Sequence, residues 1–333
     1  NYTFVYNGGT GSGTATINVE KRQITVTIDN VGHTYGGEVV ALTASEALTG
    51  GQNISGSNAF AAGDNAQEVY ELYVDGATIV SFSDVADYEI HGRQADAKGG
   101  NYEIAFVGEG SSNIYGIYTV SPAEIAFADY AYEAEYSGTS QNEAIIEGLK
   151  ESITVLNGQA IFRYKYSEGE EYSDTLQEYR DVPQNDCADG AVTVPVEISA
   201  PNHKPIEKTF TIEIIKAALQ AYVKDATVDY GFGVADGKFE ILYTGWQGSD
   251  GKSADTYVNA KGATFDLGGF AVGAAQGSKF TVTVGGLTSR NYALDYTTKQ
   301  GTLTVVARNI TVTLNAQRQT YKGQSGSYTL GNK

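Results

Sequence analysis

Methionine is absent from these 333 residues, so Asn1 is not expected to be a translation start and the chain reads as a segment of something longer. The single cysteine, Cys187, has no partner for an internal disulfide. Three histidines, His33, His91 and His203, stand too far apart for a local metal motif. Positive charge is scarce: 22 Lys and Arg face 40 Asp and Glu, and the resulting net charge of -18 repels phosphate backbones and anionic lipid. Nucleic acid is therefore not an expected partner. No apolar run approaches the roughly 18 residues of a membrane helix, and the start does not read as a signal peptide, so no membrane insertion is expected. Stability has to come from packing or from hard cations.

What is abundant points to strands. Tyrosine (24), phenylalanine (12) and glycine (40) accompany 41% apolar and 19% charged residues, too aromatic a mixture for disorder. The chain is also internally repetitive. Asn1-Tyr2-Thr3-Phe4-Val5-Tyr6, Asn101-Tyr102-Glu103-Ile104-Ala105-Phe106 and Asn291-Tyr292-Ala293-Leu294-Asp295-Tyr296 share Asn-Tyr, an apolar residue and an aromatic, with Asn202-His203 as a weaker copy. Each is followed by an alternating run, as in Ala15–Val19, Ile117–Val120, Phe210–Ile214 and Thr302–Val305. A further run starts at Ile24, Ile125, Leu219 and Ile310, and eleven residues on comes a tyrosine near a glycine: Tyr35, Tyr136, Tyr230 and Tyr321.

These periods suit a seven-stranded sandwich and are too long for a solenoid. The expected architecture is all-β: tandem Ig-like β-sandwich repeats at 22–121, 122–216 and 217–307, with pieces of cut-off repeats at 1–21 and 308–333. Short connectors, Glu20–Gln23, Ser121–Glu124, Lys216–Ala218 and Val306–Asn309, predict a stiff, extended rod. Asp75-Gly76 predicts a hairpin between Val69–Val74 and Thr78–Phe82, and Glu168-Gly169 one between Ala160–Ser167 and Tyr172–Leu176. Helical periodicity is confined to Asn142–Ser152. The end segments, being isolated strand pairs, are expected to pair with further repeats of the same protein or with neighbouring copies in a fibre.

The run of Asn-Tyr-x-apolar-x-aromatic, a Thr-rich strand, Ile-Thr-Val-Thr and Tyr-Gly resembles the MBG and YDG class of repeats in bacterial surface adhesins. In the middle repeat, Ile161–Ser167, Tyr172-Ser173-Asp174, Val192–Ala200 and Asn202 resemble instead the Ig-like stalk repeats of Gram-positive surface proteins. The resemblance implies an extracellular location on a bacterial cell surface, a spacer or adhesive role, and no catalytic residue.

Individual residues allow sharper and plainer readings. The tyrosines Tyr35, Tyr136, Tyr230 and Tyr321 are read as architectural, each burying its ring while its hydroxyl reaches a backbone partner, with the glycine permitting a tight turn. Asn1, Asn101 and Asn291 are read as turn residues. Trp246 with Tyr243 and Tyr257 is the candidate ligand site, a stacking platform for sugar, against the plainer reading of a hydrophobic plug. No cofactor is required; calcium is the one candidate, with Asp186 and Asp189, Asp250 and Asp255, and Asp84 and Asp87 as loop acids against the plainer reading of solvated acids. Asn53-Ile54-Ser55 and Asn309-Ile310-Thr311 match the glycosylation sequon, a common triplet. Gly9–Gly13 and Gly231-Phe232-Gly233 complete no phosphate-loop motif, there is no nucleophile elbow, and an enzyme is not expected. The leading expectation is a stalk segment; its competitor is a module whose loops bind glycan or host protein.

Overall fold

A computed structural model describes residues 19–49, 58–110, 112–166, 169–183, 191–234 and 239–313. The fold is all-β. The chain divides into two compact units, one of Asn1–Tyr132, Asn142–Gln177 and Val192–Ile212, the other of Glu133–Gln141, Glu178–Ala191 and Glu213–Lys333.

In the first unit, alternation of apolar and polar residues builds seven strands over the described part of the first repeat: β1 (Arg22–Ile28), β2 (Val31–Thr34), β3 (Ala44–Leu48), β4 (Tyr70–Val74), β5 (Ala86–Gln94), β6 (Tyr102–Gly108) and β7 (Gly116–Ser121). Ile24, Val26 and Ile28 alternate along β1 and are fully buried, each worth about 1.5–3 kcal/mol of transfer free energy. The strands form two sheets, ordered β3-β1-β6 and β2-β7-β5-β4. Between β1 and β2 the chain changes sheet, so β1 lies parallel to β6 in one and β2 parallel to β7 in the other. Ile28, Ile90, Tyr118 and Val120 close the space between them, with Phe106 packed against that cluster.

The middle repeat contributes β8 (Ala126–Phe127), β9 (Ala131–Glu135), a helix at Asn142–Glu151, β10 (Ile153–Thr154), β11 (Ile161–Tyr164), β12 (Ala191–Ser199) and β13 (Ile206–Ile215). The helix lies where its periodicity placed it and buries Ile145 and Leu149. The sheets here are β10-β8 and β11-β12-β13-β9.

In the second unit the third repeat reproduces the first strand for strand: β14 (Ala217–Val223), β15 (Ala226–Asp229), β16 (Ile241–Thr244), β17 (Thr264–Asp266), β18 (Lys279–Gly285), β19 (Tyr292–Asp295) and β20 (Gly301–Val306). The sheet orders are β16-β14-β19 and β15-β20-β18-β17, with β14 parallel to β19 and β15 parallel to β20. Leu219, Ala221, Val282 and Leu303 are buried in its core.

Three expectations are corrected. The strand after Asp75-Gly76 is Ala86–Gln94, not Thr78–Phe82. Residues 78–82 form a loop whose polar groups turn elsewhere: the Gly36 amide donates to the Ser81 carbonyl at 2.7 Å, and the Val80 amide to Ser83 Oγ at 2.9 Å. Past Gly169, pairing is a single bridge between Tyr164 and Ser173 in place of a full hairpin. No strand forms over 310–313, where Ile310 and Val312 are 77% and 71% exposed; a strand needs an edge to pair with, and among the described residues none meets these. Tyr321, Asp186, Asp189, Cys187, Asn53 and most of the two end segments lie outside the described residues.

Candidate functional site

The three described tyrosine corners have one backbone geometry. Each tyrosine amide donates to a carbonyl at or beside the last strand of its repeat: Tyr35 to Ser121 at 2.8 Å, Tyr136 to Ile215 at 2.9 Å, Tyr230 to Val306 at 2.9 Å. A glycine in the left-handed region turns the chain just afterwards: Gly36 (φ 81°), Gly138 (φ 74°) and Gly231 (φ 82°). An L side chain would be strained at each.

What differs is what the corner meets. Tyr35 is 3% exposed because residues of the middle repeat cover it. The His203 ring stands edge-on to it with centroids 5.7 Å apart, and Asn157 Nδ2 donates to its hydroxyl at 3.2 Å. Tyr136 is 1% exposed because the third repeat covers it in the same way. Tyr292 stands edge-on at 5.4 Å, and the Tyr136 hydroxyl donates to Asp250 Oδ2 at 2.5 Å.

A second contact accompanies each corner. Asn202 Oδ1 accepts the Val85 amide at 3.0 Å while its Nδ2 donates to Asp84 at 3.0 Å. Asn291 Oδ1 accepts the Val182 amide at 3.1 Å while its Nδ2 donates to Asp181 at 2.7 Å. One carboxamide is thus held on both sides by an Asp-Val pair of the preceding repeat, so these asparagines recognise a neighbour as well as making a turn.

Asp250 is the electrostatic centre of the second junction. Its side chain is fully buried, and a lone buried carboxylate would be costly. Here it accepts from Tyr136, from Tyr292 at 2.7 Å and from Arg180 at 3.2 Å. Arg180 also donates to the Gly138 carbonyl at 3.0 Å and to the Tyr257 hydroxyl at 2.8 Å, and that last bond is the main reason its pKa is raised. Burial, reinforced by the Asp250 carboxylate, pushes both the Tyr136 and Tyr292 phenols well above the usual tyrosine range. They stay neutral donors at any ordinary pH.

The expected site residues are therefore partly united and given other work. Trp246 lies tilted by 55° against Tyr243 with ring centroids 5.3 Å apart and perpendicular to Tyr292 at 5.2 Å, and packs on Gly251, where an added Cβ would lie 2.7 Å from its ring. Tyr257 joins them through Arg180. Asp250 has no open oxygen of the kind calcium uses, and Asp255 is exposed on the short helix Ala254–Tyr257. Asp84 is engaged by Asn202, and Asp87 by Thr119 at 2.7 Å. Among the described residues no cluster of three or more His, Cys, Asp or Glu is placed to hold a metal ion. Tyr230, expected to be buried, is 50% exposed, because no following repeat lies over it among the described residues.

Aligning the repeats on this geometry shows a motif that strand patterns hide. In the first repeat the Tyr102 hydroxyl accepts the Ala61 amide at 3.0 Å and donates to Asp64 at 2.6 Å; in the third the Tyr292 hydroxyl accepts the Gln247 amide at 3.0 Å and donates to Asp250. Phe60 stands edge-on to Tyr102 as Trp246 does to Tyr292. In the middle repeat His203 Nε2 accepts the Leu156 amide at 2.9 Å. An aromatic four residues before an aspartate, Phe60/Asp64 and Trp246/Asp250, was the available signal.

No known family profile matches the chain, and no curated protein does. Solved structures that align with it include multidomain ectodomains. The Drosophila N-cadherin EC1-4 fragment aligns over 68% of this chain and 59% of its own length, at 11% identity and TM-score 0.25. The four N-terminal Ig domains of Dscam1 isoform 4.4 align over 88% and 74%, at 11% identity and TM-score 0.22. The chain thus spans about three-fifths of the N-cadherin fragment, and superpositions this loose carry no argument about function. Among the described residues no helix is long and apolar enough to cross a membrane.

Proposed function

We propose that this chain is a structural or adhesive stalk segment of a large bacterial surface protein or extracellular fibre, built of tandem β-sandwich repeats. The observation that supports this best is the twice-built junction: Tyr35 against His203 with Asn202 held by Asp84 and Val85, then Tyr136 against Tyr292 with Asn291 held by Asp181 and Val182. Only Lys216 separates β13 from β14, so the chain has no slack there. A plug-and-clamp geometry repeated at successive joints suits load transmission through a stalk. The placement on a bacterial surface rests on the resemblance to adhesin repeats.

The competing reading, a glycan- or host-protein-binding module, has its best support in the half-buried Trp246 beside Tyr243. Its ring already packs against Tyr243, Tyr292 and Gly251. A glycan-array and mucin-binding assay separates the two. The stalk reading expects no saturable binding; saturable binding abolished by Trp246→Ala would overturn it as a complete account.

A further inference from the structure

We infer that the joint between the first and second repeats is an acid-released latch, closed while His33 and His203 are both neutral and opened when they gain protons. This property is independent of whether the chain spaces or binds. Two of the chain's three histidines lie at this one joint, one contributed by each repeat, and both are buried, at 8% and 6% exposure. His203 covers Tyr35 with its ring edge-on at 5.7 Å. His33 on β2, two residues before Tyr35, reaches the Ser81 carbonyl at 3.3 Å. The loop anchored there carries Phe82, packed edge-on to Tyr35, and Asp84-Val85, which hold Asn202.

The partners of each ring admit one neutral tautomer. His203 Nε2 accepts the Leu156 amide at 2.9 Å, and an amide can only donate, so that nitrogen is bare. Its Nδ1 faces the Pro201 carbonyl at 2.7 Å, which can only accept, so the proton sits there. His33 has the opposite arrangement. Its Nε2 proton points to the Ser81 carbonyl, and its Nδ1 lies 3.0 Å from the Tyr118 hydroxyl. That hydroxyl accepts the Val40 amide at 3.0 Å, which leaves its own hydrogen for Nδ1. A second proton on His203 would set N–H against N–H and strip the Leu156 amide of its acceptor. On His33 it would leave the hydrogen of the fully buried Tyr118 hydroxyl without an acceptor.

Among the described residues no carboxylate bonds either ring to offset that loss, whereas the third histidine, His91, pairs with Glu89 at 2.9 Å. The titratable groups packed around the two rings are the phenols of Tyr35, Tyr88 and Tyr118. Of the charged groups at the joint, Asp84 is engaged by Asn202, the Lys204–Glu124 pair is exposed, and Glu38 is exposed on the segment leading to Val40. An open joint frees both rings to take protons that the closed joint refuses. The closed form is therefore favoured above the ordinary histidine range, roughly pH 5 to 8, and lost as pH falls through it. With two protons taken up, the open-to-closed ratio rises by up to about a hundredfold per pH unit. The second joint has Tyr292 where the first has His203 and contains no histidine, so it lacks this response.

Nuclear magnetic resonance of the full chain, labelled with nitrogen-15 in its histidines alone, tests this, with His91→Gln identifying the third ring. At about pH 7.5 His203 should show the Nδ1–H tautomer and His33 the Nε2–H tautomer. As pH falls to about 5, both rings should gain protons only as amide exchange, corrected for its intrinsic pH dependence, rises in residues 78–85 and 154–158, with 246–250 unchanged. His203→Tyr, which places the third repeat's residue at this joint, should cut the response to about tenfold per pH unit, with a melting curve to check that it folds. The wild-type spectra decide the matter whether or not it does. Either ring in the other tautomer, or both protonated while residues 78–85 and 154–158 stay protected, would overturn the inference. So would protection lost equally at 246–250, the mark of general acid unfolding.

Discussion

Tyr35, Tyr136 and Tyr230 share an offset from their strands, yet burial separates the first two from the third, and that difference should be measurable. Tyr35→Ala and Tyr136→Ala should each cost about 3–5 kcal/mol, the range for deleting a large buried aromatic, while Tyr230→Ala should cost less than about 1 kcal/mol. Urea melts of the three variants check this, and equal losses would show that the corner belongs to the core of its own sandwich. The glycines divide likewise. Gly231→Ala meets only backbone strain, about 1 kcal/mol, whereas Gly138→Ala adds a collision with the Gln247 carbonyl and should cost more. Both positions were legible as turns in the sequence; which of them is crowded was not, because the crowding atoms are more than a hundred residues away.

Among elements, the Asp250 loop is the one whose chemistry sets its behaviour. Tyr136 and Tyr292 have folded-state pKa values above the unfolded value of about 10. Their contribution is therefore fully present below pH 10 and is lost as pH rises beyond it, since the unfolded chain ionises first. Titration followed at the phenolate absorbance should find these two tyrosines silent until the unfolding step, and Tyr136→Phe should move that step towards a simpler profile. Arg180→Ala leaves a buried carboxylate without its cation and should destabilise by about 3 kcal/mol or more, most visibly in the third repeat. The loop 78–85 teaches a related lesson. Its alternation predicts a strand, but Phe82 packs edge-on to Tyr35 at 5.4 Å and Asp84-Val85 clamps Asn202, so tertiary contacts outweigh the local pattern.

For the whole molecule, junctions of this kind predict coupled unfolding of neighbouring repeats. In hydrogen exchange, Tyr136→Ala should raise exchange in residues 246–250 as well as in its own repeat, while leaving β1, β6 and β7 protected. Exchange confined to residues 131–141 would mean that the joint transmits nothing. The all-β class, the helix at 142–151 and the shared backbone geometry of the tyrosine corners could all be read from the sequence, because each depends on the spacing of residue types along one strand or one turn. The partners of those corners depend on which side chains converge across a junction: Tyr136 with Asp250 lies 114 residues apart, and Asn202 with Asp84 lies 118 apart. Periodicity carries no information about such pairs, and only the folded chain, by excluding water from Asp250 and leaving Tyr230 half exposed among the described residues, decided which corners are covered.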